Sequence, residues 1–204
     1  MRALLFAGLL LAMPAAAQTD AALQPGDVAV LGSSDSTTFT LIMPSGHVSF
    51  IADGAWPVIA AKSSLPAVFA FQVPDPADTA TAESTNLSIN IYDHASREGQ
   101  QAAKTFGQPL AVQAPRKESH DGWTLATQGV AASGVPYTVI DAEEKTPSGA
   151  LVVVRLAYPH LAGQPGTHVA DMRALFLKVL DSVAGDTGTY TVHPGEVVRR
   201  PDGQ

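Results

Sequence analysis

The chain of 204 residues contains no cysteine, few aromatics and few charges, and its charge leans to one side. Without cysteine there can be no disulfide, thiolate metal site, iron–sulfur cluster, thiol nucleophile or lipidated N-terminal cysteine. Only 15% of residues are charged, and acidic residues outnumber basic ones 19 to 12, giving a net charge of −7. That balance argues against broad electrostatic contact with nucleic acid or an anionic membrane. Gly-x-Ser-x-Gly, His-Glu-x-x-His, Gly-x-Gly-x-x-Gly and calcium-loop patterns are all missing. What is present is aliphatic: 46% of residues are hydrophobic, enough to rule out a disordered polymer and to fill one core.

The N-terminus reads as an address. Arg2 precedes an apolar run from Ala3 to Met13, short of the roughly 20 residues that cross a bilayer. Pro14 breaks the run, and Ala15-Ala16-Ala17 places small residues before Gln18. This is the layout of a cleavable secretory signal over residues 1–17. The expected organisation continues with a flexible leader at 18–26, one domain at 27–185 and a polar tail at 186–204. No later segment has the apolar length of a membrane helix. The expected location is the periplasm, with full secretion as the alternative.

Strand-like runs follow at Val28–Leu31, Thr37–Met43, His47–Ala52, Trp56–Ala61 and Ala67–Val73, divided by Gly, Ser, Pro and Asp turns. Thr85–Tyr92 alternates, with Leu87, Ile89 and Ile91 on one side and Asn86, Ser88 and Asn90 on the other. Ser96 is placed to cap a short helix ending near Gly107. Trp123–Val130, Val135–Ala142 and Ala150–Tyr158 read as an antiparallel meander. Val169, Met172, Leu175, Phe176, Val179, Leu180 and Val183 then recur at helical spacing. Thr189–His193 is a candidate edge strand. The expected fold class is α+β: a mainly antiparallel sheet, a short middle helix and a packed amphipathic C-terminal helix.

Candidate functional residues fall in two sets. The first is a binding surface: Asp75 and Asp78 on the Pro74–Ser84 loop, with Asn86, Ser88 and Asn90 on the polar strand face. The second is an acid–base or metal-assisted hydrolase site built from His94, Asp93 and Arg155. Arg155 interrupts an aliphatic strand and needs a partner, for which Asp141 or Glu143 on the preceding strand is placed. The histidines at 47, 94, 120, 160, 168 and 193 have no metal-ligand spacing, so no metal site and no cofactor are implied.

The order of elements, with Trp56-Pro57-Val58, Gly122-Trp123 and the closing Phe176–Val183 helix, resembles the Mog1/PsbP-like small proteins. That resemblance implies an α/β/α sandwich and an adaptor or accessory role, with no shared catalytic set. The Phe71–Asp78 and Ser84–Leu87 stretches also resemble an uncharacterised family of bacterial exported proteins. The leading expectation is a non-enzymatic exported protein that binds a protein or small-molecule ligand. The alternatives are the hydrolase and a structural envelope component.

Overall fold

The computed structural model describes residues 22–75, 84–132, 134–160 and 166–201. The expected signal at 1–17 and Asp78 lie outside the described residues.

Turn chemistry cuts the first part of the chain into short antiparallel partners. Strands β1 (Val28–Gly32), β2 (Ser36–Met43) and β3 (Gly46–Asp53) pair in sequence order. Two strands from the end of the chain complete this sheet: β11 (Ala184–Asp186) beside β3, and β12 (Val197–Arg199) beside β1. The edge strand expected at Thr189–His193 is formed instead by β12. The sheet order is β11-β3-β2-β1-β12.

A second sheet has seven strands in the order β4-β5-β6-β10-β9-β8-β7. Its members are β4 (Val58–Lys62), β5 (Ala67–Val73), β6 (Thr85–Asp93), β7 (Arg116–His120), β8 (Trp123–Ala132), β9 (Val135–Lys145) and β10 (Ala150–Pro159). All neighbours are antiparallel. Strand β7, with no apolar residue, lacks the alternation that marks the longer strands, although Asp121-Gly122 supplies its turn. Both residues have positive φ, 41° and 91°, as a tight two-residue hairpin requires.

Helix α1 (Arg97–Thr105) starts where Ser96 Oγ accepts a hydrogen bond from the Gly99 N–H at 3.0 Å. Helix α2 (Gly166–Asp181) buries Met172, Phe176, Val179 and Leu180. Val169, placed on the same stripe by periodicity, is 43% exposed.

The expected fold class is therefore corrected. Strands make up 51% of the described residues, arranged as two antiparallel sheets with only two short helices, so this is a β-rich fold. It is neither α+β with a packed C-terminal helix nor an α/β/α sandwich. The physical reason lies in pairing. Periodicity identified the N-terminal strands but not their partners, and these strands close on each other and on the chain end, forming a second sheet.

The sheets meet through aromatic rings. Phe39 and Phe50 of the first sheet stack at 5.1 Å, and Phe50 meets Phe69 of the second sheet edge-on at 5.1 Å. Phe39 lies 5.8 Å from Phe71. Offset and edge-to-face pairs of this kind contribute beyond their buried area.

Candidate functional site: a cavity between the sheets and a polar cleft outside them

Alternation along β6 turns Ser88 and Asn90 outward, and the register sets Ser88 opposite Arg155 and Asn90 opposite Val153. Arg155 also lies opposite Asp141 on β9 and holds it with two hydrogen bonds. Nε donates to Oδ1 at 2.6 Å and Nη2 to Oδ2 at 3.1 Å. Asp141 is buried while the Arg155 side chain is 46% exposed, so the guanidinium reaches water and the carboxylate does not. These hydrogen bonds raise the Arg155 pKa against the opposing effect of burial.

Helix α1 and the segment after it cross this face and leave a polar cleft of about 530 Å³, lined in part by Ser88, Asn90, Tyr92, Thr105, Asp141 and Arg155. The segment is anchored where Gln128 Oε1 accepts from the Leu110 N–H at 2.8 Å. Glu143, on the same strand face as Asp141, has its pKa raised by burial, with Lys117 pulling the other way. Among the described residues no histidine lines the cleft, and its main cation is already neutralised by Asp141.

The remaining predicted residues go elsewhere. Asn86 is exposed, and its Nδ2 donates to the Ser84 carbonyl at 3.1 Å. Asp75 is buried, accepting from Thr85 Oγ1 at 2.9 Å and pairing with His168 Nε2 at 2.9 Å, which ties the end of β5 to α2. Asp93 shapes the turn into α1: its Oδ1 accepts from the Ala95 N–H, and its carbonyl accepts from Ser96 Oγ. The His94 N–H donates to the Gly149 carbonyl at 3.0 Å. Asp93 lies opposite Ala150, five register positions from the Ser88–Arg155 pair and on the other strand face. Strand rise separates the two positions by about 17 Å. The structure thus brings Ser88, Asn90 and Arg155 together and does not bring Asp93 and His94 to them. Among the described residues, His120, Asp121 and Asp181 gather ligand atoms within 4.8 Å. Both carboxylates are more than half exposed, and the group ties β7 to α2 at the surface.

Sequence reasoning missed a larger site. Edge strands β4 and β12 flank a cavity of about 670 Å³ between the sheets. Phe39, Phe69 and Phe71 form part of its wall together with Val28, Val30 and Trp56. Val58 and Ala61 of β4 stand opposite Phe71 and Phe69, so they share the inward face. Across β1 and β12, Arg199 stands opposite Val28, which turns its side chain to the cavity side. Exposed Lys62, Arg199 and Arg200 line the solvent side, with Asp53 as the one lining carboxylate among the described residues. The sequence held a faint signal in Ala67–Val73, where Phe69 and Phe71 occupy the buried positions of β5. Apolar alternation reads the same whether the facing layer fills the space or leaves it open.

No family model matches the chain, and no curated protein matches it. Among solved structures it is similar to a protein from Bacteroides thetaiotaomicron VPI-5482, crystallised and determined at 1.50 Å resolution. The TM-score is 0.43 at 13% identity, over 76% of this chain and 49% of the other. The chain therefore spans about half the length of that structure.

Proposed function

We propose that this chain is an exported, non-enzymatic binding protein of the periplasm that holds a small, mainly apolar molecule between its two sheets. The observation that carries the reading is the 670 Å³ cavity, which falls within the roughly 300–1,000 Å³ of small-molecule sites. Aromatic and aliphatic walls with a few polar groups at one side are the usual composition of such sites. Among the described residues the lining has no histidine and a single carboxylate, Asp53, whose Oδ1 is taken by the Ala55 N–H at 2.9 Å. That inventory favours holding a molecule over transforming it. Export rests on the signal-like N-terminus and fits a core that holds together without disulfides.

The test is titration of the chain, expressed from Gln18 onward, with the neutral fluorophore N-phenylnaphthylamine. Trp56 lines the cavity and serves as an internal energy-transfer donor. One molecule should bind per chain, saturably, and Ala61→Trp should displace it by filling the cavity from the exposed β4 edge. Non-saturable uptake, or uptake indifferent to Ala61→Trp, refutes the reading. Fractionation of a bacterial host expressing the full chain tests the compartment, with the processed protein expected in the periplasmic extract.

A further inference from the structure

We propose that the ligand is an amphipathic anion: a single apolar chain lying against Phe39, Phe69 and Phe71, with its carboxylate between Lys62, Arg199 and Arg200. This rests on reading the cavity as a ligand site and adds the chemical class of what enters it.

Charge distribution carries the inference. The protein has 12 Lys and Arg against 19 Asp and Glu, so its average field repels anions. Among the described residues, three of those cations nevertheless line one cavity, against one carboxylate already engaged by a backbone N–H. Elsewhere Arg155 pairs with Asp141, and Arg116 and Arg173 pair with Glu118. Arg97, Lys104, Lys117, Lys145 and Lys178 stand on other elements without an ion pair among the described residues, so what sets the three apart is their convergence on one cavity. Among the described residues, Lys62, Arg199 and Arg200 make no ion pair.

Their placement follows from the strands. Lys62 ends β4, Arg199 ends β12 with its side chain on the Val28 face, and Arg200 follows it. Cations thus approach the cavity from both edge strands, while the walls behind them are apolar. A neutral apolar ligand would leave these charges unused. A cationic one would be repelled. A carboxylate accepts hydrogen bonds from guanidinium and ammonium donors alike, and its chain satisfies the aromatic walls.

Calorimetric titration of the chain from Gln18 onward, below micelle-forming concentrations, compares laurate, dodecanol and dodecyltrimethylammonium. Laurate is expected to bind about tenfold more tightly than dodecanol, a difference of about 1.4 kcal/mol. The cationic amphiphile should be the weakest. The triple variant Lys62→Gln/Arg199→Gln/Arg200→Gln should lose the roughly tenfold preference and bind laurate no more tightly than dodecanol. If that variant does not fold, Lys62→Gln and the salt dependence of the native chain carry the test. At about 1 M salt, where screening acts within about 3 Å, the laurate advantage should shrink.

Equal affinity for laurate and dodecanol in the native chain overturns this inference and leaves the cavity reading standing. Failure of both ligands, together with failure of N-phenylnaphthylamine, overturns both. Co-sedimentation with phosphatidylglycerol vesicles without binding of free laurate assigns the cations to a membrane surface and also overturns the proposal. So does a dimer that Ala61→Trp dissociates while laurate does not bind, because a second copy would then cover the exposed Val58 and Ile59 edge.

Discussion

Replacing Phe50 and Phe39 separately by alanine distinguishes a filled interface from one with open space. Both rings join the aromatic contact between the sheets. Phe39 lies 5.1, 5.6 and 5.8 Å from Phe50, Phe69 and Phe71, and Phe50 lies 5.1, 5.1 and 6.4 Å from Phe39, Phe69 and Phe71. The ring–ring losses therefore nearly cancel in the comparison. Phe50 is 0% exposed and absent from the cavity lining, whereas Phe39 is 9% exposed and lines the cavity. Removing about 150 Å² of buried aromatic surface at about 25 cal/mol/Å² costs about 4 kcal/mol, within the usual range for such truncations. Phe50→Ala should cost that much. Phe39→Ala should cost about 2–3 kcal/mol, because one side of the ring already lacks packing atoms to lose. Urea unfolding gives both numbers. At about 2–4 °C per kcal/mol for a chain of this size, Phe50→Ala should lower Tm by about 8–16 °C. Equal costs at the two positions would mean that Phe39 is packed on every side, and the cavity argument would fail with it.

Asp141→Asn removes one half of the paired hydrogen bonds to Arg155, and urea unfolding should show a loss of about 1 kcal/mol. The cost stays small because the half-exposed guanidinium regains water. Glu143→Gln should raise stability at neutral pH. Burial raises the Glu143 pKa in the folded state, so the native protein holds its proton more tightly and loses stability as pH rises through that pKa. Thermal melts should show the Gln variant ahead at pH 7, with the gap closing in acid below the ordinary Glu value of about 4.3. Gly99→Ala should destabilise by about 1–3 kcal/mol despite the better helix propensity of alanine, as read by urea unfolding. A Cβ there would stand 2.2 Å from the Asp93 carbonyl oxygen, so α1 could not stay seated on the end of β6.

Gly99 also shows how local rules mislead. Helix propensity marks it as a weakness in α1, yet the close approach of a neighbouring turn requires the missing side chain. Arg155 is the opposite case. Its position in an aliphatic strand demands a partner, strand alternation offers Asp141 or Glu143, and the register selects Asp141. Asp75 illustrates a third situation. A loop carboxylate suggests a recognition surface, but this one is buried against His168, which arrives from 93 residues away.

By itself the sequence determined the strands other than β7, β11 and β12, the cap at Ser96, the antiparallel run β8-β9-β10 and the charge that needed a partner. Each depends on periodicity or spacing within a short stretch of chain. Only the tertiary structure decided that there are two sheets, that β12 closes on β1, and that the edges of β4 and β12 leave a cavity between aromatic walls. Alternation tells which side of a strand is apolar and carries no record of what faces it. Packing between sheets is a property of pairs distant in the chain, and so is a gap between them. The cations at 62, 199 and 200 gain their meaning only when the two ends of the domain are brought to one opening.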